Sequence, residues 1–434
     1  MGSISFVFRM ERERALKIHT GSLSSPPTAA MSVGLAGSGG VDSDTPERNY
    51  ALLPHHASVP GSGTAVTKGT GPDGTAAPGS PGVSVLIVGC GFGGIAAAIE
   101  CHRKGHRVVV FEKNSEIGGL GDTLGILQNG ALPIYKWDAG KVHQRAARIS
   151  CNYARHNIYN SKGKFLLSHS MKGYSAGSGY MGRRGELMGV MYQYFQKLGL
   201  EVHLNADEAD AVICADGVHS KGRHFVLGKQ DPPRSSGYAI YRAWFILEPS
   251  LRENPATSRI PLPGEEDTVM NFIEPNAHTL IATVKRNQGI TWVLTHPDEY
   301  DRDAAHSYVP TSAQGTTQAI EDAATIAITL ELAGKSQVPL ALRTMEKLRY
   351  ERCKIGQEMG IETRDMWLKT DWEEVKKNPE VLAQPRPNWL FTHDPQAHAY
   401  EEFETAANAV LTDCLYQPRN VPDEGSNHRA TDFD

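Results

Sequence analysis

Gly89-Cys90-Gly91-Phe92-Gly93-Gly94 places glycines at the first, third and sixth positions of a short stretch, and Glu112 lies twenty-three residues after Gly89. Gly89 permits a tight turn, Gly91 lets the backbone approach a pyrophosphate, and Gly94 lets a helix pack closely on a strand. A helix opening there offers free N–H groups and a partial positive charge to phosphate oxygens. Glu112 can accept hydrogen bonds from both hydroxyls of an adenosine ribose. It would repel a 2′-phosphate, so NADP is disfavoured at this position. The glycine-rich turn Ile117-Gly118-Gly119-Leu120-Gly121 comes next. It suits an extended flavin lying beside a pliable backbone better than NAD alone.

That chemistry requires the loop to join a strand to a helix. Residues 83–88 read as a buried strand, 93–104 as a helix rich in Ala and Ile, and 107–111 as a second strand. So compact a unit implies a parallel pair with a right-handed crossover. Further on, 185–198 reads as an amphipathic helix, 211–215 and 291–294 as short strands, and 318–332 and 340–367 as helices.

The chain has 434 residues, room for two or three domains. Its 44 basic and 49 acidic residues leave a net charge of −5, which excludes binding to nucleic acid through a broad basic surface. At 40% apolar residues it can build a real core. The apolar run at 83–88 is too short to span a bilayer. No membrane anchor is expected, and a cytoplasmic location is. The six cysteines are scattered without a C-x-x-C, so neither a disulfide framework nor a zinc knuckle is expected. No His or Cys pair has metal-ligand spacing, and no metal site is assigned. Of the 62 residues from 21 to 82, 43 are Gly, Ser, Pro, Ala or Thr, too few apolar groups to offset chain entropy. Residues 1–82 are therefore read as a disordered tail, and 406–434 as a loose C-terminal one.

Two later motifs extend the reading. Asp216-Gly217-Val218-His219-Ser220-Lys221-Gly222-Arg223 follows a short strand as D-G-x-x-S-x-x-R, and Asp303-Ala304-Ala305-His306 precedes Gln314-Gly315 and Ala319-Ile320-Glu321-Asp322-Ala323. With the glycine loop they resemble the signatures of FAD-dependent aromatic hydroxylases, the group A flavoprotein monooxygenases. Within these they resemble the salicylate hydroxylase-like members of fungal secondary metabolism. The resemblance runs over about residues 83–405.

It implies an α/β fold: a Rossmann-type FAD-binding domain with an inserted mixed-sheet substrate domain and C-terminal helices. The division is 83–232 for the FAD-binding part, 233–300 for a remnant of the substrate domain, and 301–405 for the FAD-contacting helical part. The cofactors implied are FAD and NADPH or NADH as co-substrate. The partners implied are an aromatic small molecule and O₂, and the oligomeric state stays open. Glu112 matches the ribose-binding acid, Gly125 a backbone contact to the flavin, and Arg184 an arginine that reaches the cofactor, with Arg183 competing. Asp303 matches the aspartate that binds the ribitol. Gly315 and Thr316 fall where a helix N-terminus faces the flavin pyrimidine. Arg223 matches an arginine that holds or activates the substrate. Tyr241 is the candidate for a substrate-facing hydroxyl, with Tyr238 as the alternative.

The resemblance breaks at two places. Only residues 200–215 separate Gly199 from the D-G motif, and Tyr300 runs almost directly into Asp303, without the buried strand and glycine that the family has there. Loss of such segments implies exposed sheet edges. Two readings stand at this point. One is an FAD-dependent monooxygenase that hydroxylates an aromatic, phenolic or polyketide-type compound. The other is a truncated, degenerate member that binds FAD weakly or not at all and is catalytically silent. An NAD dehydrogenase would leave both later motifs unexplained.

Overall fold

The computed structural model describes residues 7–8, 82–114, 123–171, 178–203, 209–217, 220–228, 237–248, 250, 253, 255, 266–297, 313–384 and 387–423. Asp303, the 117–121 turn and nearly all of the expected N-terminal tail lie outside them.

The apolar runs that read as strands form a five-stranded sheet. Strands β1 (Val7–Phe8), β2 (Ser84–Val88), β3 (Arg107–Phe111), β8 (Val202–His203) and β9 (Ala211–Cys214) stand in the order β1-β9-β2-β3-β8. β2 pairs in parallel with both β3 and β9. β1 is the antiparallel member, with Val7 opposite Ile213 and Phe8 opposite Val212. The expectation of a loose segment over residues 1–82 therefore does not hold at Val7–Phe8, where β-prone side chains find an open sheet edge.

The helix Phe92–Arg103 is buried almost throughout, because Gly93, Gly94 and the Ala96-Ala97-Ala98 run let it pack closely on its neighbours. It carries Glu100, which is fully buried and accepts from Trp137 Nε1 at 2.6 Å, Gln396 Nε2 at 2.6 Å and Arg103 Nη1 at 3.1 Å. Against it lies the helix Gly315–Ala333, also buried along nearly its whole length.

Strands β4 (Thr123–Ile126) and β7 (Tyr180–Arg183) make a separate antiparallel pair. The third sheet contains β5 (Arg155–Asn160), β6 (Phe165–Ser170), β10 (Tyr238–Ile246), β11 (Val269–Glu274), β12 (Ala277–Val284) and β13 (Gly289–Pro297). Its order is β10-β13-β12-β11-β5-β6, with β11 and β5 parallel and the other pairs antiparallel. The mixed sheet is thus not confined to 233–300: it draws two strands from residues 155–170, inside the stretch assigned to the FAD-binding part.

Strand alternation gives this sheet two unlike faces. His156, Ile158, Leu167, His169, Val269, Asn271, Ile273, His278 and Ala282 share a buried inner face. On the opposite face Tyr241 and Phe245 are exposed.

The helix Val338–Leu368 joins the two halves. Thirty-one residues at 1.5 Å each reach about 46 Å. Leu340 and Ala341 pack into the Rossmann core, whereas Met359 and Trp367 meet the inner face of the mixed sheet. The expected loose tail from 406 is corrected as well. The last helix runs from Pro395 to Thr412 with Ala406, Ala407 and Ala409 buried, and Tyr416 and Asn420 pack beyond it.

Candidate cofactor and substrate site

β2 delivers the chain to Gly89, whose N–H donates to Phe111 O at 2.7 Å and whose φ is +100°. A side chain here would meet the Ala215 carbonyl, so the position is closed both by conformation and by space. A Cβ on Gly94 would drive into the Gly89 carbonyl oxygen, which is the close helix-to-strand approach that the spacing predicts. Gly91 differs: a Cβ there would meet nothing within 4 Å. It caps the helix Phe92–Arg103 without a side-chain hydrogen bond, and the first intrahelical bond to it is Ile95 N–H to Gly91 O at 2.9 Å. The space beside Gly91 at this helix N-terminus is open, as an anion cradle requires.

Glu112 follows β3 beside this loop. Its Oε2 accepts from Cys90 N–H at 2.9 Å, and its Oε1 from Asn114 N–H at 2.9 Å. The carboxylate is half-buried and fixed next to the glycines, where a ribose joined to a pyrophosphate would place its hydroxyls. Burial, then Glu112, pushes the Cys90 thiol up to about 12, so the loop holds no reactive thiolate. The residues present fit a dinucleotide.

A second set converges from the other side. Gly125 lies in β4 opposite Met181 of β7, and a Cβ on it would meet Met181 Sδ at 2.8 Å. Gly315 and Thr316 open the helix Gly315–Ala333 and are buried. The next residue, Thr317, accepts from Leu127 N–H through Oγ1 at 3.0 Å. Gly125 and the Gly315 helix start are thus brought together across 190 residues. Arg184 heads the helix Arg184–Lys197 and is half-buried, whereas Arg183 at its N-cap is exposed. Of the two, Arg184 has the inward position.

The D-G-x-x-S-x-x-R stretch shapes a turn. Asp216 Oδ2 accepts from Lys221 N–H at 2.8 Å and Gly222 N–H at 3.3 Å, and Ser220 Oγ accepts from Arg223 N–H at 3.1 Å. Arg223 itself is only 9% exposed. Tyr241 is not brought to this assembly. It is 55% exposed on the outer sheet face, stacked on His296 with ring centroids 5.5 Å apart. Strand parity sends Tyr238, Ile240 and Trp244 to the other face, and Arg364 of the long helix lies over the Tyr238 ring at 5.2 Å. Tyr238 is therefore the inward tyrosine of the pair.

Sequence reasoning missed the buried charges behind the Gly315 helix. Arg352 donates through Nε to Glu321 Oε2 at 2.8 Å and through Nη2 to Glu321 Oε1 at 3.0 Å. Arg349 donates to Glu321, to Gln318 and, at 2.7 Å, to Asp322. Arg352 also reaches the carbonyls of Trp389 at 2.9 Å, Leu390 at 2.7 Å and Asn420 at 3.2 Å. Burial pushes the Glu321 carboxyl upward, but Arg352 and Arg349 outweigh it and hold the group below the carboxylate range. Burial raises Asp322, against the pull of Arg349. The signal was present: Arg349 and Arg352 fall on the same helical face as Leu348, an apolar stripe interrupted by cations. Among the described residues, no group of three His, Cys, Asp or Glu could hold a metal, and no helix is long and apolar enough to cross a membrane.

Residues 87–156 match the model of a family described as an NAD(P)-binding Rossmann-like domain. The chain is 34% identical to the asperlicin C monooxygenase of Petromyces alliaceus, over 82% of this chain and 96% of that one. It is 30% identical to the FAD-dependent monooxygenase nanF of Aspergillus nanangensis, over 83% and 98%. The crystal structure of CtdE in complex with FAD and a substrate superimposes with a TM-score of 0.71 at 29% identity, over 76% of this chain and 99% of that one. A salicylate hydroxylase complex shares the fold, with a TM-score of 0.60 at 16% identity over 75% and 98%. The alignment with the Petromyces enzyme spans 443 positions, more than the residues this chain contributes to it, so the relative carries segments that this chain lacks. The matches nonetheless extend nearly end to end over named monooxygenases, which favours the active reading over a silent copy. The chain belongs to the FAD-dependent monooxygenases of fungal secondary metabolism.

Proposed function

We propose that Gly89, Gly91, Gly94 and Glu112 hold the ADP half of FAD, and that Gly125, Arg184, Gly315 and Thr316 receive its flavin end, with Asp303 on the ribitol. Bound FAD supplies electron acceptance from NADPH or NADH and activation of O₂. The chain's own residues then orient the flavin, exclude water and hold the substrate ring. The N-terminus of the Gly315 helix presents a partial positive charge suited to an anionic reduced pyrimidine.

The observation that carries the substrate reading is one apolar cluster. Leu127, Met181 and Ala313, which flank the flavin-facing segments, share one hydrophobic cluster with Trp244, Val269, Leu280 and Ala282 from the inner face of the mixed sheet. A substrate held beside this cluster would be aromatic and largely apolar, and the packed cluster would keep water from the reacting atoms. Two relatives are named as an asperlicin C monooxygenase and a notoamide E oxidase, which supports a substrate of that kind for this chain. Arg223, buried beyond the Asp216 turn, is the candidate for holding an oxygen anion of the substrate, and Tyr238 replaces Tyr241 as the tyrosine facing inward.

The test follows purified protein loaded with FAD through NAD(P)H oxidation with a panel of aromatic alkaloids, using ¹⁸O₂. Products that carry one labelled oxygen are expected. Arg223→Ala should keep its FAD, lose most product and release more hydrogen peroxide per NAD(P)H. Cofactor oxidation without labelled product from any substrate would overturn the hydroxylating function, and unchanged product from Arg223→Ala would remove that residue from it.

A further inference from the structure

Asn129 sits in the helix Gln128–Tyr135, directly after the strand that carries Gly125. It is fully buried. Its Nδ2 donates to Glu321 Oε1 and lies 3.5 Å from Gln314 Oε1. Gln314 is the N-cap of the helix whose first residues are Gly315 and Thr316, and Glu321 is in its second turn. Two further links join the same segments. Leu127 N–H donates to Thr317 Oγ1 at 3.0 Å, and Gly130 lies so near Thr317 that a Cβ on it would be 3.0 Å from the Thr317 Cα. The carboxamide is thus a bridge between the two elements assigned above to the flavin end of the site.

We infer that Asn129 is a positioning residue for the flavin: it sets the distance between the Gly125 strand and the N-terminus of the Gly315 helix. This rests on the reading that both segments face the flavin. The mechanical argument is short. Gly125 and Gly315 have no side chains with which to hold a separation, and the Thr317 hydroxyl reaches only a backbone N–H. Asn129 supplies the lock and ties it to Glu321, which Arg352 and Arg349 immobilise. Its other polar atom underlines the role. Oδ1 is buried without a hydrogen-bond partner among the described residues, a desolvation cost that an apolar residue of similar shape would avoid. What an apolar residue cannot do is donate to Glu321 from this helix.

If the separation loosens, the helix N-terminus moves relative to the flavin pyrimidine, and its dipole stabilises the anionic reduced form less. Asn129→Leu should weaken FAD affinity about tenfold, read from flavin fluorescence, and shift the flavin midpoint potential to more negative values. The matched control is Gln396→Leu. That residue is also buried and donates to a buried carboxylate, Glu100, at 2.6 Å, but in the Rossmann helix rather than between the two segments. It should lower the melting temperature while leaving the potential at the parent value. Asn129→Ser, smaller and still polar, serves if the leucine variant does not fold, and should shift the potential in the same direction. A parent-like potential in both Asn129 variants, or an equal shift in Gln396→Leu, overturns the positioning role. Parent protein that takes up no FAD overturns the flavin reading itself, a separate and prior outcome.

Discussion

The glycine loop after β2 and the ion network beneath the Gly315–Ala333 helix are built from opposite materials. The loop works by absence: at Gly89 and Gly94 a single Cβ would collide with backbone, and at Gly91 missing bulk leaves space before a helix N-terminus. The network works by presence, with Arg349 and Arg352 aimed from one helix at Glu321 and Asp322 of another. The loop's parts lie within about two dozen residues of one another, whereas the network spans Asn129 to Asn420. Steric exclusion cannot be compensated from elsewhere. A charge cluster can be, if its members are removed together. The two regions should therefore fail differently when altered.

The largest effect is expected at Gly94→Val. The side chain has no route except into the Gly89 carbonyl, so strand and helix must part and the phosphate cradle opens. Flavin absorbance after gel filtration should fall at least a hundredfold relative to the parent, in protein that retains its secondary structure by circular dichroism. Parent-like flavin content would mean that the loop is not the cofactor's seat.

Next comes Arg352→Ala. It strips two hydrogen bonds from a carboxylate that is completely buried, and three carbonyls lose their donor as well. Removing one partner of a buried pair costs about 3–5 kcal/mol. Urea unfolding should show a loss of that order. The double change Arg352→Met with Glu321→Leu should recover part of it, because no uncompensated charge remains. A double variant worse than Arg352→Ala would deny the contrast between exclusion and compensation.

The same contrast accounts for what could be read from the sequence. Strand, loop and helix from 83 to 111 were legible because steric rules act between neighbours in the chain, and Glu112 followed from them. Helix 340–367 was legible from its period, but not the meaning of Arg349 and Arg352, whose partners lie about 30 residues away on another helix. The mixed sheet was the least legible. Its buried strands carry His156, Asn271 and His278 on the inner face, polar residues that blur the apolar alternation. Tyr241 was misplaced by one step of strand parity, which is all it takes to move a side chain to the opposite face.

One of those inner-face imidazoles, His278, and the buried His393 beside Glu321 set the third prediction. Burial pushes His278 down to about 4 and His393 to about 2, the latter with help from Arg352. Each is neutral when folded, while the unfolded chain takes up a proton near pH 6.5. Their contribution is whole above pH 6.5 and is lost as pH falls toward the folded value. For His278 that window is 6.5 to about 4, with a loss of about 3 kcal/mol. Stability from denaturant curves should decline steeply between pH 6.5 and 4, and His278→Leu should flatten part of that slope. An unaltered slope in the variant would show that the inner face is not where acid acts.

The smallest effect is expected at the far edge of the Rossmann sheet. Without β1, strand β9 would present its outer N–H and C=O groups to water or to another chain. The family strand expected before Asp303 has no counterpart in the sequence, and the described edge is covered instead by Val7 and Phe8, paired with Ile213 and Val212. A two-residue ladder supplies few hydrogen bonds, each worth about 1 kcal/mol net, so deleting residues 1–10 should cost only about 1–2 kcal/mol and leave the flavin content as in the parent. The more telling consequence is intermolecular, because an uncovered, β-branched edge pairs with its like. The deletion variant should sediment as larger species with rising concentration, and Val7→Pro with Phe8→Pro should reproduce this in the full-length chain. Should both variants remain as dispersed as the parent and melt with it, the N-terminal strand contributes nothing to the protection of this edge.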